Sequence, residues 1–311
     1  MQIFGPVPSR RLGFSLGIDT VPYKTCSLDC IYCQVGRTTN KTIKRKEYIS
    51  CHDILPGIEE ILLKQKERID YITFSGSGEP TLNSRMKTII NSIKKLVSIP
   101  VAVLTNGTLL FQPETREELM EADLVIPSLD AVSEEVFKKV NRPHHSLIID
   151  KVIDGLSVFS REFKGKIWLE VMIVRGTNDS PQEIKRMAEA IEKIKLDKIQ
   201  LNTVVRPPVE EFAQPVNLQD LKKIRRTLGE KCEIIAEFKR PNQEFNREDI
   251  EKGILTMVRR RPVTLLDISR SSGIHQNEAI KYLNILKKED QILTKVHRGR
   301  RYYYQKTADS V

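Results

Sequence analysis

No stretch of about eighteen apolar residues occurs in this sequence, so no segment is built to span a bilayer. The opening residues, MQIFGPVPSRRLG, lack an apolar segment behind a basic start, and a secretory leader is not expected. Cysteine is scarce, five in 311 residues. The expected compartment is therefore a reducing cytoplasm, where thiols serve chemistry or metals rather than staples. There the sequon at Asn106 carries no meaning. Repeats of fixed period and low-complexity runs are missing too. What remains, 40% apolar and 30% charged, is ordinary for a globular protein and suffices for one large core plus a small appendage.

Charge is uneven. The net value is +10. Residues 1–48 hold eight Lys/Arg against three Asp/Glu, residues 49–248 thirty against thirty-one, and residues 249–311 thirteen against seven. Basic ends are commonly solvated faces; a basic end with a recognisable fold pattern points to a polyanionic partner.

Short apolar runs alternate with amphipathic stretches. LGFSLGID (12–19), YITFSG (71–76), VAVLTNG (101–107), LVIPSLD (124–130), IWLEVMIV (167–174) and IQLNTVV (199–205) read as buried parallel strands. Between them, Ile54, Ile58, Ile61 and Leu62 share one helix face, and Met86, Ile89, Ile90, Ile93 and Leu96 another. SPQE opens a helix with Ser180 as N-cap, Pro181 in the first turn and Glu183 completing a capping box. Six βα units predict an α/β fold whose parallel sheet curls into a partial (βα)6 or full barrel; a flat doubly wound sheet is the competing topology.

The pattern changes near Phe238. We expect a body over 1–237, a polar linker over 238–248 and a second unit over 249–311. That unit reads as three helices and a two-stranded ribbon, with Gly273 at the turn between the second and third helices. Ile280, Leu283 and Leu286 should face its core, and Gln276, Asn277, Lys281 and Asn284 should face outward. It resembles a winged helix-turn-helix domain, a fold that meets DNA, RNA or peptides. Arg298, Arg300 and Arg301 would form a basic wing for nucleic acid, or be merely solvated while Tyr302 and Tyr304 pack inward.

Three of the five cysteines, Cys26, Cys30 and Cys33, sit on one C-x₃-C-x₂-C frame. A structural zinc site wants four ligands, and the next candidates, Cys51 and His52, are eighteen residues on. A [4Fe–4S] cube held by three cysteines keeps one iron open, able to grip an amine and a carboxylate.

The frame, with Tyr32 before its last cysteine, resembles the signature of the radical S-adenosylmethionine superfamily. SGSGEP (75–80) resembles that family's Gly-Gly-Glu-Pro motif, with Ser77 replacing a glycine. The resemblance covers about residues 1–235. It implies S-adenosylmethionine and a [4Fe–4S] cluster as cofactors and a 5′-deoxyadenosyl radical that abstracts hydrogen. It makes Cys26, Cys30, Cys33 and Glu79 the catalytic set. It also implies cofactor contacts from Tyr32, Gly76, Ser77, Gly78, Glu79, Pro80, Thr105, Asn106, Ser128 and Asp130, all at carboxyl ends of expected strands, and an electron donor of flavodoxin or ferredoxin type. FGPVPSRRLGFSLGID, CQVGRT, VNRPHH and LNTVVRPP look like an iron–sulfur oxidoreductase subgroup distantly similar to tRNA-wyosine synthetases.

Plainer roles compete at several positions. Glu79 would otherwise be a loop carboxylate, Asn106 a turn residue before Gly107, and Asp130 a helix cap, although Ser133 is better placed to cap. Arg10, Arg11 and Arg206 are surface charges or contacts to an anionic substrate. His144 and His145 read as loop residues, and Cys51 and Cys232 as lone thiols. With no second cysteine cluster and no cobalamin-binding segment, an auxiliary cube and cobalamin chemistry are disfavoured. The expected substrate is a macromolecule, an RNA base or a protein residue. A small-molecule enzyme with a structural winged helix, and a DNA-binding redox or cofactor sensor, are the alternatives.

Overall fold

Proline decides how the chain begins to pair. IFGPVPS holds two prolines and a glycine, yet it forms strand β1 (Ile3–Ser9), antiparallel to β2 (Gly13–Ile18). Proline lacks the N–H that a central strand needs, so β1 occupies a sheet edge. That composition hid β1 from the sequence pattern, which starts the sheet at residue 12. The structure is a computed structural model, and it describes all residues except 1, 10, 65–68, 236–246, 273–275 and 306–311. Arg10, Gly273 and most of the expected linker lie outside the described residues.

A short parallel pair follows, β3 (Thr25–Cys26) with β4 (Asn40–Lys41). Then come α1 (Cys51–Lys64), β5 (Tyr71–Phe74), α2 (Met86–Leu96), β6 (Val101–Thr105), α3 (Pro113–Leu119), β7 (Leu124–Pro127), α4 (Glu134–Val140) and α5 (Ile149–Glu162). They are followed by β8 (Lys166–Ile173), α6 (Pro181–Glu192), β9 (Lys198–Thr203), α7 (Leu218–Leu228) and β10 (Cys232–Ile234). All six expected strands form. They lie in one sheet of order β1-β2-β5-β6-β7-β8-β9-β10, parallel from β2 onward.

Alternation along the strands separates two faces. Leu16, Ile18, Ile72, Phe74, Val103, Val125 and Leu169 point to one side and share a core with residues of α1 through α7. A doubly wound sheet would carry helices on both faces, so this packing overturns that alternative. The other face buries Leu12, Ala102, Leu124 and Ile126. There Arg11, just before β2, reaches Glu170 on β8 at 2.7 Å. Nη1 is not aligned for a hydrogen bond, so the attraction is coulombic. Strands four positions apart stand about 19 Å apart in a flat sheet. The pair therefore requires a strong curl toward this face, which α8 (Arg247–Arg260) also covers at β1.

Phe159 on α5 is fully buried and stacks on Phe163, with centroids 4.9 Å apart. Phe159→Ala should cost about 3–5 kcal/mol through lost burial plus the cavity left behind, read as a lower denaturant midpoint at unchanged slope. Leu96, by contrast, ends α2 at 36% exposure and contributes little.

The last sixty residues build a separate apolar cluster. α8 (Arg247–Arg260), β11 (Val263–Thr264), α9 (Leu265–Ser272) and α10 (Gln276–Lys288) precede a hairpin, β12 (Ile292–His297) and β13 (Arg300–Gln305). The sheet order is β11-β13-β12. Arg298 and Gly299 make the two-residue turn, both with positive φ (50° and 73°), the conformation that matches strand twist. On α10 the core face is Ala279, Tyr282, Leu283 and Leu286, whereas Ile280 is 38% exposed. The expected face was thus right at Leu283 and Leu286 and wrong at Ile280, because the inward helical spacing starts at Ala279. Gln276, Lys281 and Asn284 face outward as expected. Tyr303, not Tyr304, enters this core, while Tyr302 points to the opposite side and donates to the Val205 carbonyl at 2.8 Å.

Candidate active site

The cysteine loop leaves β2 and is pinned from several directions. Leu28 and Ile31 bury their side chains. The Asp29 and Ile31 amides donate to the carbonyls of Asn141 and Val140, and Cys33 N donates to Cys30 O at 3.0 Å. These bonds orient the three thiols, and each sulfur then meets an N–H donor from elsewhere. Lys24 Nζ lies 3.2 Å from Cys33 Sγ, Asn141 Nδ2 lies 3.3 Å from Cys30 Sγ, and Asn106 Nδ2 lies 3.5 Å from Cys26 Sγ. The Leu28 amide also points at Cys26 Sγ. Burial and then the Glu79 carboxylate push the Cys26 thiol up to about 12. Burial and then Asp130 hold the Cys30 thiol well above its usual range.

That donor set fits a metal–sulfur cluster. Soft sulfurs, an outer shell of N–H groups and a pocket that disfavours bare thiolates are suited to a cationic core, which deprotonates coordinating thiols outright. Among the described residues no three His, Cys, Asp or Glu side chains stand close enough to share one metal ion. A cube is gripped at three different irons, so its thiolates stand farther apart than those around a single ion.

SGSGEP follows β5 and lies against this loop. A Cβ on Gly78 would sit 2.1 Å from the Thr25 carbonyl, so that glycine is required by close approach, and one on Gly76 would displace the Asp19 carboxyl, 2.5 Å away. Ser77 donates from N and Oγ to Asp19, and Asp19 also receives Arg260 of α8 at 3.3 Å. The Arg260 guanidinium lies 3.0 Å above the centre of the Phe4 ring, and burial lowers its pKa to about 10 despite Asp19. Val7 of β1 packs on the C-terminal core as well.

Glu79 is 2% exposed. Its Oε1 accepts from Thr81 N, Thr81 Oγ1 and Thr105 Oγ1 at 3.1, 2.6 and 2.6 Å, and Oε2 accepts from Asn106 N at 2.7 Å. Burial raises its pKa, and these hydrogen bonds pull it back. The solvated-loop reading fails, because this carboxylate ties the end of β5 to the end of β6. A carboxylate offers about four acceptor sites. These four bonds account for them. Pro80 opens a short 3₁₀ turn, Pro80–Leu82, capped by Glu79.

Thr105 and Asn106 also spend their side chains on the protein. Thr105 Oγ1 serves Glu79 and accepts from Gly107 N, and Asn106 bonds Ser27 and Thr108 besides Cys26. Asp130 is 4% exposed and accepts from the Tyr32 hydroxyl, Asn141 Nδ2 (2.8 Å) and Met172 N (2.9 Å). Burial lifts its pKa to about 6, against those bonds, and burial with Asp130 pushes the Tyr32 hydroxyl well up. Tyr32 and Asp130 thus form a brace running through Asn141 to Cys30. Among the described residues only Ser128 of the expected cofactor contacts has a half-exposed hydroxyl without a partner.

Asp130 does not cap α4, and neither does the Ser133 hydroxyl. Glu183 reaches over from α6, accepting from Val132 N (2.7 Å), Ser133 N (3.0 Å) and Ser133 Oγ (2.8 Å). The capping box on α6 is consequently only half made. Ser180 Oγ accepts from Glu183 N at 3.2 Å, while the Glu183 carboxylate serves the neighbouring helix. Asn178, missed in the sequence, holds Asp130 and Met172 by their carbonyls.

Arg11 is inside the curled sheet on Glu170, not at the surface. Arg206 donates to Gln34 Oε1 at 3.3 Å beside the cysteine loop. Arg298, Arg300 and Arg301 are exposed on the hairpin, far in sequence from the cysteines. His144 and His145 sit in a loop, their rings 4.1 Å apart, and Cys51 and Cys232 are free thiols away from the frame. Asn141 and Lys24 are the donors that sequence reasoning missed; Asn141 stood inside VNRPHH, the one signal available.

A mostly parallel, curled α/β sheet with a three-cysteine loop and a buried glutamate at its strand ends defines the class, and comparison with known proteins agrees with it. The chain belongs to the radical SAM superfamily, whose model matches residues 20–195. The UPF0026 protein of Methanocaldococcus jannaschii is 34% identical over 306 residues, covering 96% of this chain and 94% of that one. A Brachyspira hyodysenteriae protein named GTPase Obg is 38% identical over 301 residues, 96% of this chain and 44% of that protein, so the chain spans less than half its length. The crystal structure of a radical SAM methyltransferase from Sphaerobacter thermophilus shares the fold, with a TM-score of 0.53 at 14% identity over 71% of this chain and 65% of that one. Superfamily members are enzymes whose cofactors are S-adenosylmethionine and a [4Fe–4S] cluster. No helix among the described residues is long and apolar enough to cross a membrane.

Proposed function

We propose that this protein is a radical S-adenosylmethionine enzyme that abstracts hydrogen from a macromolecule, with an RNA base as the first class to test and a protein residue as the second. The observation that carries the chemistry is the cysteine loop, with three sulfurs each facing an N–H donor beside a buried glutamate. Cys26, Cys30 and Cys33 would hold the cluster; the SGSGEP backbone, Glu79 and the Ser128 hydroxyl would hold the S-adenosylmethionine. When bound, the two cofactors supply reductive cleavage of the sulfonium and the 5′-deoxyadenosyl radical, with the electron from a flavodoxin- or ferredoxin-type donor in the reducing cytoplasm. The chain's own part is to fix both in contact and keep water from the buried side of the site.

We read the sheet as a partial (βα)6 barrel over 1–237, joined through 238–248 to a winged helix over 249–311. What supports the macromolecule is the hairpin, where exposed Arg298 sits in the tight turn and exposed Arg300 and Arg301 open the tyrosine-bearing strand β13. The likeness of VNRPHH and LNTVVRPP to the wyosine-related subgroup makes tRNA the first probe. Anaerobically reconstituted protein with reductant should release 5′-deoxyadenosine, and mass spectrometry of tRNA, then of proteome, should show a modified species. Replacing Arg298, Arg300 and Arg301 together by alanine should keep cofactor cleavage. It should abolish that modification and flatten the slope of log affinity against log salt by about 2 for single-stranded RNA. A small-molecule enzyme is the second reading, favoured by the anchoring of the C-terminal unit through Arg260 and Tyr302. It predicts that the triple variant turns over its substrate unchanged.

A further inference from the structure

The cluster-facing donors are not equivalent. Asn106 and Asn141 offer neutral amides to Cys26 and Cys30, whereas Lys24 brings a full charge to Cys33. Lys24 is 3% exposed. Taking an ammonium out of water costs several kcal/mol unless a counter-charge repays it. Among the described residues its ammonium has one partner, the Cys33 sulfur. Its backbone is held in a left-handed conformation, φ 55°, that a non-glycine residue adopts rarely. The restraints are specific: Lys24 N donates to Ser77 O at 2.8 Å, and Lys24 O accepts from Thr39 N and Asn40 N at 3.2 and 3.1 Å. The lysine is thus clamped between the SGSGEP loop and the strand after the cysteines, with its chain laid inward. Facing a neutral thiol, that arrangement would waste the desolvation. Facing a thiolate of an anionic cluster, it is repaid.

We infer that Lys24 is a positioning residue that sets the cluster's reduction potential, its buried ammonium at Cys33 making the one-electron reduction more favourable. The inference rests on the radical-enzyme reading and goes beyond it. Reduction adds one negative charge to the cluster, and a fixed cation at hydrogen-bond distance in a low-dielectric site stabilises the reduced form more than the oxidised one. Because the ammonium is hydrogen-bonded to Cys33, it would also bias the added charge toward the iron that Cys33 would hold.

The test uses the full chain, reconstituted anaerobically as wild type, Lys24→Met, Lys24→Gln and Lys24→Arg. Iron and sulfide per chain are measured first, followed by an electrochemical titration read by the paramagnetic signal of the reduced cluster, without S-adenosylmethionine. At a fixed potential, Lys24→Met and Lys24→Gln should show a reduced-to-oxidised ratio at least about tenfold lower than wild type, equivalent to about 59 mV for a one-electron couple. Lys24→Arg should stay within about twofold, because it keeps the charge and the donors. A fully loaded Lys24→Met with the wild-type ratio overturns the inference. So does a variant whose ratio is normal while its affinity for S-adenosylmethionine falls, which would make Lys24 a cofactor-carboxylate contact instead. Failure of both neutral variants to assemble a cluster overturns it too, since Lys24 would then serve assembly. Wild-type protein that binds neither iron nor sulfide sinks the radical-enzyme reading itself, a separate result.

Discussion

Cys30→Ser protein should take up little iron and sulfide on anaerobic reconstitution and lose reductant-dependent 5′-deoxyadenosine formation by more than about a hundredfold. Loss of an outer-shell partner alone weakens a metal site by 10–100-fold, and a ligand matters more. A serine hydroxyl is a hard, weakly acidic donor in the place of a soft thiolate. It would face the Asn141 amide, whose hydrogen bond favours a thiolate, in a site where burial and then the Asp130 carboxylate already weigh against charge on Cys30. Cys51→Ser is the control. Cys51 begins α1, away from the frame, and its replacement should leave iron content and cleavage at wild-type values. Equal loss in both variants would mean that the three-cysteine loop is not the cluster site.

Glu79→Ala should be the most destabilising single change near the site, by about 3–5 kcal/mol, seen as a Tm lower by roughly 5–10 °C. Truncation strips an acceptor from two backbone N–H groups, Thr81 and Asn106, and from two threonine hydroxyls. Each donor left unpaired in a buried place costs about 1–3 kcal/mol. Glu79→Gln keeps one oxygen and should lose only part of this. Because the carboxylate joins β5 to β6, the alanine variant should also loosen the Asn106 side chain from Cys26, lowering iron retention along with Tm. A Tm within 2 °C of wild type would show that water replaces the carboxylate at no cost.

Local pattern carried the sequence reading a long way. The six parallel strands were legible because each is a short apolar run; the cysteine frame stood out by its spacing, and Glu79 through the likeness of SGSGEP to a family motif. The misses share a cause. β1 was disguised by prolines that only an edge tolerates. Glu183 has the sequence of a local cap and serves another helix. Lys24 and Asn141 look like loop residues until folding brings Asn141 to a cysteine 111 positions away. Tyr32, Thr105 and Asp130, expected at the cofactor, also brace their neighbours, Tyr32 and Asp130 with Asn141 and Thr105 with Glu79, a role that side-chain direction sets and sequence does not show. Ile280 fell one position off a helical stripe.

Asp19 receives both the SGSGEP loop, through Ser77, and the C-terminal unit, through Arg260. A chimaera that exchanged that unit for a foreign module would strand this carboxylate beside Phe4 unless the graft carried a cation at the equivalent of position 260. The recombination breakpoint that looks natural in the chain, at the polar stretch before α8, is therefore the wrong place to cut. A graft keeping native residues through Arg260 would leave the glycine loop undisturbed.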